Sequence, residues 1–117
     1  MALTAVACRS STGPSSTDPC AKSGADATVS ATDNFTFAPN AVTVTVGQSV
    51  CWQNKGTLVH TVTDNATNGV RFNGNLPGGQ AFVHTFGFGG SFIYHCNNHS
   101  NMTATVVVNC KPGDLVC

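Results

Sequence analysis

From Ala27 onward, apolar and polar residues alternate in short runs, and no segment carries a sustained helical period. The clearest run is Ala41-Val42-Thr43-Val44-Thr45-Val46, where strict Val/Thr alternation buries one face of a strand and turns the other outward. Comparable runs predict strands at 27–31, 49–53, 58–63, 80–86, 91–95 and 103–109. In the 49–53 strand, Val50 and Trp52 share one face and Cys51 takes the other. Turn residues punctuate the runs at Ala38-Pro39-Asn40, Gly47-Gln48, Asn54-Lys55-Gly56, Gly87 to Gly90 and Pro112-Gly113. Residues 64–79 hold four Asn and four Gly and read as a long irregular connection. The pattern predicts an all-β fold, a Greek-key β-sandwich of about eight strands. A parallel sheet with crossover helices is excluded, because nothing in the chain would form the helices.

The first 26 residues are rich in Ser, Thr, Gly, Pro and Ala and read as a flexible linker or tether, so the chain divides into 1–26 and a single folded domain over 27–117. Charged residues make up only 9 % of the 117-residue chain, five basic and five acidic, with no run of either sign. A nucleic-acid surface needs a basic patch, and none is present. Strong charge steering of a partner is likewise not expected. No stretch of about 18 apolar residues exists to span a membrane. Six cysteines suggest an oxidising, extracytoplasmic compartment, the periplasm or the outer face of a cell membrane. Leu3-Thr4-Ala5-Val6-Ala7-Cys8 has a weak likeness to the end of a bacterial lipoprotein signal. Lipidation of Cys8 as a membrane tether therefore stands beside the plainer reading of a free or intermolecularly paired thiol. The four Asn-x-Ser/Thr sequons, at Asn34, Asn65, Asn98 and Asn101, read as chance and as mild support for a bacterial or archaeal source.

The chemistry concentrates in Cys96-Asn97-Asn98-His99-Ser100-Asn101-Met102, which places a thiolate, an imidazole and a thioether within seven residues between two strands. Soft sulfur with imidazole suits copper, and one Cys, two His and a weak axial Met make a blue-copper electron-transfer site. His60 is the candidate for the second imidazole. Met102 is the only methionine besides Met1, so it has no rival for the axial position. His95, adjacent to Cys96, should point away from the metal by strand alternation. The Thr61 backbone N–H is a candidate donor to the Cys96 sulfur, and Asn54 a candidate to pin the ligand loops.

These residues, in this order, resemble the cupredoxin family of small type 1 blue copper proteins, near its plastocyanin, pseudoazurin and amicyanin branch. The resemblance runs over about residues 28–109. It is carried by Asn34-Phe35-Thr36-Phe37-Ala38-Pro39, Val42-Thr43-Val44 to Gly47, Val50-Cys51-Trp52-Gln53-Asn54, His60-Thr61-Val62, Thr85-Phe86, Gly90, and Tyr94-His95-Cys96 to Met102. The short Cys-to-Met spacing is most similar to amicyanin. The resemblance implies an eight-stranded sandwich holding one copper ion on His60, Cys96, His99 and Met102, and single-electron shuttling between redox partners that dock near His99. The docking patch would include Leu58, Leu76 or Pro77. His84 stands where the resemblance has an aliphatic core residue; it is either buried and hydrogen-bonded or turned outward. In such a fold the first and third strands are neighbours, which would let Cys20 reach Cys51, while Cys110 and Cys117 could close a local loop around Pro112-Gly113; Cys51–Cys110 and Cys51–Cys117 are the rivals.

Copper storage or delivery is the alternative function, although a single Met and a closed donor set suit it less well. An enzyme is not expected: family members that catalyse reactions need further His ligands, and this chain has four His, two of them already used, with no His-x-His pair. A monomer is expected.

Overall fold

The computed structural model describes residues 18–66 and 70–117. Among them nine strands form and no helix: β1 (Ala27–Ala31), β2 (Phe37–Ala38), β3 (Ala41–Thr45), β4 (Ser49–Asn54), β5 (His60–Asp64), β6 (Asn73–Leu76), β7 (Ala81–Thr85), β8 (Gly90–His95) and β9 (Thr103–Asn109). They make two sheets, one in the order β2-β1-β4-β7 and one in the order β3-β9-β8-β5-β6. β1 runs parallel to β4 and β3 parallel to β9, while the other pairs are antiparallel.

The period-2 pattern decides which face each strand buries. On β9, Ala104, Val106 and Val108 point inward, and Thr103 and Asn109 outward. On β3, Val44 is buried and Thr43 exposed, as the Val/Thr alternation predicts. Trp52 anchors the core between the sheets. Its ring centroid lies 5.4 Å from Tyr94 in an edge-to-face contact and 5.8 Å from both Phe72 and Phe82.

β4 departs from simple alternation, because Cys51 and Gln53 are buried as well as Val50, Trp52 and Asn54. The reason is a second covering layer. Cys20 is disulfide-bonded to Cys51, and its N–H donates to Gln53 Oε1 at 3.0 Å, so residues near Cys20 cover the outward face of β4. The second disulfide joins Cys110 to Cys117. Both bridges match the expected pairing, and the rivals are not formed. Cys8 and the rest of residues 1–17 lie outside the described residues.

Three elements differ from the sequence expectation. Ahead of Pro39, where Ala38 was expected in a turn, the chain forms the two-residue strand β2, paired with Ser30 and Ala31 of β1. The connection expected over 64–79 contains a strand, β6, which pairs with β5 from His60↔Leu76 to Thr63↔Asn73. Its Asn-Gly-Asn sequence has little strand propensity. Pairing holds it instead, with the Phe82 ring lying against Gly74, where a β-carbon would come within 2.4 Å of ring atoms. The strand expected from Leu58 begins two residues later, at His60, leaving Leu58 and Val59 exposed in the preceding turn.

Candidate metal centre

Cys96 to Met102 form the connection between β8 and β9, whose last pair is His95↔Thr103. The loop is pinched at its base by Cys96 N–H donating to Met102 O at 3.0 Å. Asn101 takes a left-handed conformation (φ 68°), which Asn tolerates better than most residues. A seven-residue loop closed this way has little freedom, which holds its side chains in place.

His60 arrives from a different strand. β5 lies next to β8 in the sheet, so its first residue stands beside the loop that leaves β8. Three donor atoms then converge. His60 Nδ1 and His99 Nδ1 are 3.2 Å apart, Cys96 Sγ lies 3.4 Å from His99 Nδ1, and Cys96 Sγ lies 3.8 Å from His60 Nδ1. Edges of this size suit donors roughly 2.0–2.3 Å from one centre, the range of metal–nitrogen and metal–thiolate bonds. His60 and Cys96 are buried, and His99 is half-buried. Met102 shares the loop and is 1 % exposed.

The surroundings fit such a group. Thr61 N–H donates to Cys96 Sγ at 3.3 Å, fastening the sulfur to β5. Asn97 N–H donates to Thr61 Oγ1 at 2.8 Å and Asn98 Nδ2 to Val59 O at 3.1 Å, tying the loop to β5 and the turn before it. Asn54, fully buried, donates to Leu58 O at 2.6 Å and Leu76 O at 2.9 Å and accepts from Gly56 N–H at 2.9 Å, as the sequence suggested. Burial, then the neighbouring His99, push the His60 pKa down, with Asp33 and the Thr32 backbone acting the other way. The ring is thereby kept neutral, the form that binds metals. Its buried Nε2 makes no hydrogen bond of normal geometry.

The other histidines stand apart. His95 turns away as expected, with Nδ1 against Asn65 Oδ1 and Nε2 2.8 Å from Asn97 Oδ1. His84 resolves neither way that the sequence left open. It is half-buried on β7 between aromatic rings, 5.1 Å from Phe72 and 4.7 Å from Phe86. The expected surface patch needs one correction: Leu76 is fully buried, because β6 turns it into the core. Leu58 is exposed, Pro77 half-buried, and the exposed apolar side chains Val59 and Phe35 join them. Phe35, whose ring centroid lies 4.7 Å from that of His99, has no role that the sequence alone suggests, and neither does Asp33. The one local signal was an Asp-Asn turn ahead of an aromatic residue.

No protein-family model and no curated protein sequence matches the chain. Solved structures do. A purple cupredoxin from Nitrosopumilus maritimus is 27 % identical, with a TM-score of 0.65 over 72 % of this chain and 100 % of that one. The reduced Cu(I) form of an amicyanin mutant at pH 4 is 29 % identical, with a TM-score of 0.66 over 74 % of this chain and 83 % of that one. A second reduced amicyanin mutant is 28 % identical, with the same TM-score and 84 % of its length covered. In fold this chain is similar to small cupredoxins, and that fold brings His60, Cys96 and His99 together as a donor cluster.

Proposed function

We propose that the chain is a type 1 copper electron-transfer protein, with His60, Cys96 and His99 as its strong ligands and Met102 as the weak axial one. The observation that carries this reading is the convergence of a buried thiol and two imidazole nitrogens within 4.8 Å of one another. Copper, when bound, would supply one-electron exchange between Cu(I) and Cu(II). The chain supplies a frame that changes little between the two states. β5, β8 and β9 fix the ligand positions, Asn54 braces the turn before His60, and the Thr61 N–H steadies charge on the Cys96 sulfur. His99 is the one half-exposed member of the donor cluster. It is the natural path for an electron to a redox partner docked on the apolar rim of Leu58, Val59 and Phe35. We further place the copper domain over 27–117, with residues 18–26 fastened to it through the Cys20–Cys51 bridge and the Cys20 N–H bond to Gln53 rather than serving as tether. An extracytoplasmic setting is supported by the two disulfides.

Copper delivery remains the second reading, and it is less well supported because a delivery site needs exposed, exchangeable ligands, whereas Cys96 is 3 % exposed. Repeated reduction with ascorbate and reoxidation with ferricyanide, in the presence of a Cu(I) chelator, separates the two. An electron carrier takes up one electron per chain in each cycle and keeps its copper. A delivery protein loses copper to the chelator at the first reduction.

A further inference from the structure

The turn joining β1 to β2 is braced more firmly than a surface connection requires. Thr32 N–H donates to Thr36 O at 2.9 Å, Phe35 N–H donates to Thr32 O at 3.1 Å, and the Thr32 and Thr36 hydroxyls lie 2.7 Å apart. Asp33 fastens the turn to the segment leading into His60. Its carboxylate accepts from Thr57 N–H and Leu58 N–H at 3.2 Å and from Thr57 Oγ1 at 3.3 Å. Gly56 fits beneath that carboxylate only because it has no side chain, since a β-carbon there would stand 2.2 Å from Asp33 Oδ1.

At the tip of this turn Phe35 has φ 63°, a left-handed conformation that bulky residues rarely adopt. Such strain persists where surrounding structure enforces it, often at functional sites. Burial does not account for it, because Phe35 is 48 % exposed. What the conformation achieves is contact: the phenyl ring lies against the His99 imidazole, 4.7 Å between centroids with the planes at 40°. The His60 ring is the other aromatic neighbour of His99, at 4.9 Å.

We propose that Phe35 is a positioning residue for His99. The braced turn holds the phenyl ring against the imidazole and so keeps Nδ1 aimed at Cys96 and His60 whether or not a metal is bound. The part of this inference that concerns copper rests on the function proposed above; the part that concerns the imidazole itself does not.

The test compares the wild type with Phe35→Ala, Phe35→Tyr and Phe35→Gly. In the metal-free protein, NMR should show the wild-type His99 ring as one sharp set of resonances displaced by the phenyl ring current. Phe35→Tyr should preserve them, and Phe35→Ala should give broadened resonances averaged over ring orientations. In the copper-loaded protein, Phe35→Ala should release Cu(I) to a chelator about 3- to 10-fold faster, the range expected from losing one aromatic contact, and Phe35→Tyr should match the wild type. Phe35→Gly relieves the backbone strain, so it should melt no lower than the wild type without metal, yet release copper like Phe35→Ala. Sharp, single-orientation His99 resonances in Phe35→Ala would overturn the proposal. So would copper retention that simply follows melting temperature across the variants. A wild type that fails to bind copper would count against the proposed function, while the metal-free NMR comparison would still decide the role of Phe35.

Discussion

Asn54 shows how one side chain can organise the centre without touching it. It is fully buried and holds Leu58 O, Leu76 O and Gly56 N–H together. Replacing it with Ala leaves these backbone groups short of partners. The metal-free protein should lose roughly 2–3 kcal/mol, measured as a lower urea midpoint at unchanged slope. Asp64 provides the pH test. Its carboxylate is covered, and burial, the largest single influence, would raise its pKa, but the Arg71 side-chain bonds at 2.7 and 3.0 Å, the Arg71 and Ala66 N–H groups at 3.0 and 3.3 Å and the Arg71 charge together outweigh this and hold it below the ordinary value of 3.8. A depressed carboxylate contributes stability that is full above pH 3.8 and is lost as the pH falls through its lower folded value. Arg71→Gln should therefore cost about 1–3 kcal/mol at neutral pH and shift acid unfolding of the metal-free protein to higher pH, followed by circular dichroism. At this scale the spacing of Cys96, His99 and Met102 was legible because short loops between strands bring nearby residues together. His60 needed the whole family frame. Phe35 was not legible, because its left-handed backbone is imposed by Asp33 and the Thr32–Thr36 bonds rather than by its own preference.

At the scale of elements, alternation found the strands whose inward face is built from Val, Phe or Trp. It missed the two-residue β2, and it missed β6, whose stability lies in partners distant along the chain. Gly74 opposes Val62 on β5 and lies under the Phe82 ring contributed by β7. A methyl group at Gly74 would displace that ring, so Gly74→Ala should destabilise the metal-free protein by about 1–3 kcal/mol in chemical denaturation, although alanine is no worse than glycine in an unpacked strand. The same omission explains the misplacement of Leu76. A residue expected in a loop was assigned to the surface, whereas strand pairing turns it into the core. β4 was legible on its inner face only, because the cover on its outer face comes through Cys20, 31 residues away in sequence.

For the whole molecule, the sandwich followed from alternating short strands and the lack of any helical segment. That β1 and β4 are neighbours came from the family resemblance and not from the alternation, which specifies which face a strand buries more sharply than which strand it meets. That pairing matters for the bridges. The Cys20–Cys51 disulfide closes a loop of 31 residues and should contribute about 3–4 kcal/mol, against about 2 kcal/mol for the Cys110–Cys117 bridge across 7. A Cys20→Ala/Cys51→Ala double variant should melt well below the wild type yet keep its metal spectrum, because Cys51 belongs to the first sheet and the donor cluster to the second.

The most direct test of the central claim is the visible and EPR spectrum of the Cu(II)-loaded protein beside a Cys96→Ser control. A copper–thiolate site of this kind predicts an intense blue or purple charge-transfer band with narrow copper hyperfine splitting, bleached by ascorbate and absent from the control. A pale spectrum with wide splitting, or a band that survives in Cys96→Ser, would contradict the account.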